Sequence, residues 1–108
     1  MKYFKNLPEI PTPLSKLIDV RKNQVVSMAL SKKEDTQMIL FAFSAGEGVS
    51  EEAYPSDTLY LVVEGNMSIK LDNNSYQLKS GECMAIPAEK LHSFCGNSDF
   101  KLLQINLC

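Results

Sequence analysis

The sequence lacks any apolar segment long enough to cross a membrane. Its longest unbroken apolar run extends only from Met38 to Phe43, whereas a membrane-spanning helix needs about 20 apolar residues. The N-terminus, Met1 to Pro8, is too polar for the apolar core of a secretory signal. No pair of cysteines has metal-type C-x-x-C spacing, and the number of cysteines is odd: Cys83, Cys95 and Cys108. Reduced thiols in a cytoplasm are therefore the simpler interpretation.

The sequence also lacks a strong charge of either sign. It has 11 basic and 13 acidic residues, a formal net charge of −2, and no run of five or more like charges. This balance gives no electrostatic case for binding nucleic acid or an anionic membrane surface. The glycine patterns of dinucleotide-binding and P-loop folds are missing, as is any helix to follow them.

No stretch of 11 or more residues has the apolar periodicity of a helix. The chain instead contains short segments with the composition and alternation of β-strands. The 108 residues fit one domain. Turn signals recur every 8–12 residues, which is typical of an all-β sandwich or barrel. We predict eight or nine strands, including Gln37 to Phe43, which is apolar on both faces as expected of a strand buried on both sides. The others lie near 25–30, 58–64, 67–71, 75–78, 83–86, 92–95 and 100–107, with a hairpin turn at Asn73-Asn74.

An N-terminal arm, residues 1–19, precedes the predicted barrel of residues 20–108. Prolines at positions 8, 11 and 13 forbid a regular helix there and favour an extended segment. A short helical turn is expected near residues 14–18. Because Phe4, Leu7 and Ile10 are apolar, we expect the arm to pack on a surface rather than fray. Small β domains often gain stability by pairing with a second copy, so we expect a homodimer.

Two segments carry a recognisable motif pattern. The first extends from Gly46 to Gly65 and ends in the phrase Leu61-Val62-Val63-Glu64-Gly65. The second extends from Gly81 to Phe94 and contains Gly81, Pro87 and His92 at the expected spacing. Both resemble the paired motifs of the cupin superfamily. The first motif of that family contains, in order, a glycine, H-x-H, a glutamate and a glycine. The second contains, in order, a glycine, Pro-x-Gly and a histidine. The resemblance implies a single cupin-type (double-stranded β-helix or jelly-roll) barrel, a fold that hosts many functions.

The sequence departs from those motifs at most of the family's metal ligands. The two histidines of the first motif correspond to Glu52 and Tyr54, and its glutamate to Thr58. The glycine before the last histidine corresponds to Glu89, so only His92 matches a ligand. The resemblance implies that Glu52, Tyr54, Thr58 and His92 line a ligand-binding pocket. Tyr54 either presents its hydroxyl to the pocket or plugs it, and plugging is favoured.

The sequence does not decide whether the protein binds a metal ion. His92 is either a metal ligand, a proton donor or anchor for a small molecule, or simply a hydrogen-bonded polar residue. A carboxylate can replace imidazole as a ligand to Zn, Fe or Mn. Glu52 is therefore either a second candidate ligand or a solvated acid in a loop beside Glu51. Asp57 would be a third only if its strand shifts by one residue. No catalytic residue is assigned, and Cys83 and Cys95 are expected in the core rather than as nucleophiles.

Three functions compete. The first is a small-molecule-binding barrel without catalysis, because an apolar interior with a few polar groups is the usual ligand site. The second is a metal-dependent cupin enzyme, of dioxygenase or isomerase type, that uses His92 and Glu52. The third is a structural or interaction role with the barrel plugged.

Core and pocket-lining residues are predicted at Met38, Leu40, Phe41, Phe43, Met67, Ile69, Ile86 and Phe94.

Overall fold

Nine β-strands and one short 3₁₀-helix build the chain in the computed structural model, which describes residues 1–108. The 3₁₀-helix spans Leu14–Leu17, where the sequence predicts a helical turn. The strands are β1 (Val25–Ala29), β2 (Thr36–Phe43), β3 (Gly48–Glu52), β4 (Asp57–Glu64), β5 (Asn66–Leu71), β6 (Asn74–Lys79), β7 (Cys83–Ile86), β8 (His92–Cys95) and β9 (Phe100–Leu107). The four-residue 3₁₀-helix is far too short to span a membrane.

The strands form two antiparallel sheets that pack face to face. One has the order β1-β2-β9-β4-β7, and the other has the order β3-β8-β5-β6. The sheets stay separate rather than closing into one continuous barrel, an arrangement that matches a jelly roll. The predicted all-β class is confirmed, and the two packed sheets agree with the predicted jelly roll.

The main core lies between the two sheets and is built from the inward half of each alternating strand. Phe43 stacks on Phe100 with ring centroids 4.7 Å apart and meets Phe94 edge to face at 5.4 Å. Aromatic pairs at such separations add to the free energy gained from area burial alone. The ten buried residues of this core are Phe43, Tyr60, Val62, Met67, Ile69, Leu78, Ile86, Phe94, Phe100 and Leu102.

A second, smaller core covers the outer face of the five-stranded sheet. Leu40, Ala42 and Leu103 are buried there against Ile18 and Leu30. This layer explains why β2 is apolar on both faces, as the sequence predicts. Lys101 of β9 is buried beside this layer. Its Nζ atom donates a 2.7 Å hydrogen bond to the Ser15 carbonyl, which ties the 3₁₀-helix to β9, and lies 3.2 Å from the Glu64 carboxylate.

The N-terminal arm packs on its own chain. Phe4 forms a bridge with Ser31, and backbone hydrogen bonds of 2.7–3.2 Å join residues 3 and 5 to residues 32 and 30. Leu7 packs on the second core, whereas Phe4 is 47% exposed and Ile10 73% exposed. With Met1 and Tyr3, which are also exposed, the arm therefore leaves four large hydrophobic side chains uncovered.

Three local expectations from the sequence are wrong. Strand β3 lies in a segment that the periodicity did not identify as a strand. The β5–β6 turn lies at Asp72-Asn73, one residue early, because Asp72 adopts the left-handed conformation with φ of 55° and β6 begins at Asn74. Cys83 and Cys95 are exposed rather than buried, because the alternate residues of β7 and β8 point into the core.

Candidate functional site

Polar side chains gather at one end of the space between the sheets, where β3, β4, β8 and β9 meet. Strand pairing places Glu52 opposite His92, Thr58 opposite Asn106, and Tyr60 opposite Gln104. Directly opposed residues in an antiparallel pair project to the same face. We call this group the inner polar cluster: Glu52, Tyr54, Thr58, Tyr60, His92, Gln104 and Asn106.

His92 and Tyr60 form the most buried pair of the cluster, with 3% and 0% of their surfaces exposed. The Nδ1 atom of His92 lies 2.9 Å from the Lys90 carbonyl oxygen. Because a carbonyl can only accept, Nδ1 carries the hydrogen and the Nε2 atom of the neutral ring is an acceptor. The Tyr60 hydroxyl, 2.7 Å away, therefore donates to Nε2. Both ring nitrogens of His92 are thus engaged within the chain.

A chain of amide hydrogen bonds forms the second part of the cluster. Gln104 donates from Nε2 to Oδ1 of Asn106 over 2.9 Å, and Asn106 donates from Nδ2 to the Thr58 hydroxyl over 2.7 Å. All three side chains are buried. No buried side-chain nitrogen or oxygen in the protein lacks a partner. Because each buried polar group has a partner, hydrogen bonds offset the cost of removing these groups from water.

Glu52 and Tyr54 form the outer, half-buried part of the cluster. The Tyr54 hydroxyl donates to Oε2 of Glu52. Burial and this hydrogen bond raise the pKa of Tyr54, while hydrogen bonding with Gln104 offsets part of the rise. Burial, and then electrostatic interactions with Tyr54 and Glu52, also raise the pKa of Tyr60. Both phenols therefore stay protonated near neutral pH and act as donors.

The structure brings the four predicted pocket residues into one region but places Asp57 elsewhere. Glu52, Tyr54, Thr58 and His92 all belong to the cluster, although Thr58 contacts it through Asn106. Asp57 lies on the opposite face of β4 and accepts a 2.9 Å hydrogen bond from the Ala88 backbone. The shift of register that would bring Asp57 inward does not occur, since Thr58 pairs with Asn106 and Ile86.

Sequence reasoning missed three members of the cluster. Tyr60, Gln104 and Asn106 are not motif positions, and the pattern of β4 and β9 is dominated by apolar residues. A signal was present in β9: Gln104 and Asn106 are two residues apart, so they share a face of the strand. Two amides on one face of a buried strand indicate a buried polar site.

The cluster does not fit a divalent metal ion. No group of three or more His, Cys, Asp or Glu side chains is arranged to hold one. The Nε2 lone pair of His92 is engaged by Tyr60, and one oxygen of Glu52 accepts from Tyr54. Protein metal sites generally use at least three protein ligands with free lone pairs. The departures from the family motif therefore remove the ligand set.

The larger cavities of the molecule lie outside the cluster. A cleft of about 430 Å³ opens beside β5 and β8 and is lined mainly by polar residues, among them Glu51, Lys70, Asp72 and Ser93. His92 borders this cleft, but Glu52, Tyr54 and Gln104 line none of the five main cavities. The cluster is thus filled by its own side chains.

The turn before β8 adopts a strained conformation that supports the cluster. Glu89 occupies the position of a motif glycine and has a φ of 67°, while its N–H donates to the Tyr54 carbonyl over 2.7 Å. A left-handed φ costs a non-glycine residue about 1–2 kcal/mol. Substitution by glycine removes this cost, but part of the benefit is lost because glycine has more conformational freedom in the unfolded chain. We expect Glu89→Gly to raise the free energy of unfolding by about 0.5–1 kcal/mol, measured by urea denaturation.

Lys90→Gly is the matched control for this substitution. Lys90 is exposed, lacks a positive φ, and its ammonium lies 3.8 Å from the exposed Asp72, a contact of little energetic worth. Lys90→Gly should lower stability. Equal effects of the two glycine substitutions would contradict the assignment of strain to residue 89.

Comparison with solved structures identifies close relatives of the fold. A cupin superfamily protein from Desulfitobacterium hafniense is 47% identical, with a TM-score of 0.93 and 96% of each chain covered. A protein of unknown function from Streptococcus pyogenes is 20% identical, with a TM-score of 0.92, covering 99% of this chain and 95% of that one. A cupin 2 conserved barrel domain protein from Leptotrichia buccalis is 26% identical, with a TM-score of 0.83, covering 88% of this chain and 46% of that one. No protein-family model and no curated protein matches the chain.

Proposed function

The chain belongs to the cupin superfamily, and from this premise we propose that it binds a small molecule at the inner polar cluster without a metal ion and without catalysis. The observation that carries the proposal is the cluster itself. Buried hydrogen-bonding side chains stand at one end of an apolar interior, a combination that small-molecule sites share. Because the cluster is filled by its own side chains, the half-buried Glu52 and Tyr54 at its edge must move aside to admit a ligand. The engaged Nε2 of His92 favours binding by hydrogen bonds over binding through a metal.

The proposal is tested by combining metal analysis with ligand-induced stabilisation. Tag-free protein should contain far less than one metal per chain, before and after incubation with Fe²⁺, Mn²⁺ and Zn²⁺. In a thermal screen of small molecules, a ligand at about 100 times its Kd should add roughly 2.7 kcal/mol of stability. That gain should persist in a chelator and disappear in Gln104→Leu.

Ser93→Ala is the control for these measurements, because Ser93 is the neighbour of His92 that faces out of the sheet pair. It should retain ligand-induced stabilisation. About one metal per chain, lost in His92→Ala, would instead support the metal-dependent enzyme that uses Glu52 and His92. Absence of any stabilising ligand would favour the structural role.

A cytoplasmic location is part of the proposal. Its support is that Cys83, Cys95 and Cys108 are all free and exposed. Exposed free thiols persist most readily in a reducing compartment. Fractionation of the native host, with thiol labelling of the intact protein, would test this location.

We also propose that the protein is a homodimer to which the N-terminal arm contributes. Phe4 and Ile10 leave apolar surface uncovered on the arm, and a second copy is the simplest partner for such surface. Deleting residues 1–13 should weaken the dimer and shift the mass in sedimentation equilibrium toward the 12.1 kDa chain.

The control for the deletion is the double substitution Phe4→Ser and Ile10→Ser. It keeps Leu7, which packs on the chain's own second core, and should therefore leave the fold intact. The double variant should also dissociate more readily than the wild type. A dimer that keeps its affinity in both variants would exclude the arm from the interface.

A further inference from the structure

We infer that a second copy of the chain docks on the outer face of the five-stranded sheet, over two rows of outward side chains. This inference rests on the proposed homodimer and assigns the surface at the centre of its interface. Three observations support it: the two rows carry no charge, the chain covers them only in part, and they continue onto the N-terminal arm.

Strand pairing places two neighbouring rows of side chains on the outer face of this sheet. Directly opposed residues of an antiparallel pair project to the same face, and the residues that alternate with them, such as Tyr60 and Gln104, point inward. The first row is Met28, Leu40, Leu103, Leu61 and Cys83, and the second row is Met38, Ile105, Leu59 and Ala85. We call these nine side chains the uncharged face.

The uncharged face departs from the usual composition of an outward sheet surface. Outward strand residues of a two-sheet fold are normally polar, and charged residues make up 22% of this chain, yet none lies in either row. The outward residues of the four-stranded sheet follow the usual rule and include Ser68, Lys70, Gln77 and Ser93. Charged residues are depleted at the centres of protein interfaces. The composition therefore favours the five-stranded sheet as the one that another molecule covers.

The chain itself covers only one side of the uncharged face. The 3₁₀-helix and its neighbouring residues pack on the first row, where Leu40 is 0% and Leu103 8% exposed. In the second row, Leu59 and Ile105 are only half-buried. Leu107, which follows on β9 and projects to the same face, is 59% exposed. The second row and the end of β9 are thus left for a partner to cover.

The N-terminal arm borders the uncharged face. Phe4 of the arm forms a bridge with Ser31. Leu30, which precedes Ser31, donates its N–H to the Met38 carbonyl over 2.7 Å. Because Tyr3 and Phe4 are 53% and 47% exposed, exposed apolar surface extends from the second row onto the arm. Since the arm is the segment proposed to contact the second copy, one continuous interface covers both.

The absence of charge suits pairing of this face with itself. In a symmetric dimer both copies present the same patch to each other, so a charge near the symmetry axis would meet a like charge and be repelled. The two rows avoid this repulsion, and they offer an acidic or basic partner no opposite charge. A second copy of the chain is therefore the partner that fits the uncharged face.

The test introduces charge at two positions that are exposed in the single chain, through Ala85→Glu and Leu107→Lys. Lysine is used at position 107 because Asp57 is directly opposite. Sedimentation equilibrium measures the dimer Kd, and far-ultraviolet circular dichroism checks that each variant folds. Either substitution places two like charges in an apolar interface, so the Kd should rise by about tenfold or more.

Ser75→Glu is the matched control for the added charge. Ser75 is an exposed outward residue of β6, in the four-stranded sheet, and lies opposite Lys70. The substitution adds the same carboxylate as Ala85→Glu to the other side of the molecule. It should leave the dimer Kd unchanged.

Two native cysteines report on the interface without any substitution. Cys83 belongs to the uncharged face, whereas Cys95 lies on the outer face of the four-stranded sheet, and both are exposed in the single chain. Maleimide labelling of Cys83 should slow as the protein concentration rises through the dimer Kd, while labelling of Cys95 keeps its rate. In Leu107→Lys, labelling of Cys83 should keep the monomer rate at the same concentrations.

The outcomes separate the uncharged face from the homodimer itself. An unchanged Kd in both charged variants, an equal rise in Ser75→Glu, or a constant labelling rate of Cys83 would overturn the assignment of this face. A dimer that responds only to deletion of the arm would leave the homodimer standing without it. A mass of 12.1 kDa at every concentration would overturn both.

Discussion

Replacing Phe43 with alanine is expected to lower the free energy of unfolding by about 3–5 kcal/mol, the usual cost of truncating a buried phenylalanine. Phe43 is 1% exposed and lies at the centre of the main core. Its ring stacks on Phe100 of β9 and meets the edge of Phe94 of β8, so it links the two sheets. The neighbouring rings are themselves held by packing, and the cavity left by the substitution cannot collapse easily.

The measurement is urea denaturation followed by far-ultraviolet circular dichroism. Phe41→Ala is the matched control, because Phe41 lies two residues earlier on the same face of β2 and is half-buried. It should cost clearly less than Phe43→Ala. If the two losses are equal, the aromatic contacts between the sheets do not dominate the stability of this core.

Replacing Tyr60 with phenylalanine is expected to lower the free energy of unfolding by about 1–3 kcal/mol, although the substitution removes a single oxygen atom. The Tyr60 hydroxyl is the hydrogen-bond donor to Nε2 of His92. Only 3% of the surface of His92 is exposed. In the variant, this acceptor stays buried without a partner. The cost is therefore the desolvation of the nitrogen rather than the loss of packing.

A double-mutant cycle with His92→Leu tests this reason. His92→Leu alone should be destabilising, whereas its added cost in the Tyr60→Phe background should be small, because the unpaired nitrogen is then removed. Tyr76→Phe is the control for the loss of a phenol, since Tyr76 is 42% exposed and no side-chain hydrogen bond involves it. Additive effects of Tyr60→Phe and His92→Leu would show that the two side chains are not energetically coupled.

Much of the fold could be predicted because local patterns and tertiary packing agree in most strands. Alternation in Met67 to Leu71 and the apolar run ending at Phe43 identify strands whose inward residues are those buried in the structure. The segment Gly48–Glu52 escaped prediction since it has little apolar character. It is a strand because it pairs with β8, and Gly48 permits the close approach: a Cβ there would lie 2.7 Å from the Cα of Cys95.

The all-β class, the cupin-type motifs and the lack of most family metal ligands follow from the sequence alone, because these depend on residue types and on spacing along the chain. The pairing of Tyr60 with His92, and the connection of Gln104 and Asn106 to Thr58, come instead from the way the strands are arranged in space. The same arrangement places Asp57 on the outer face. Contacts between strands 30 to 50 residues apart in sequence depend on sheet register, and a shift of one residue would turn every side chain to the other face.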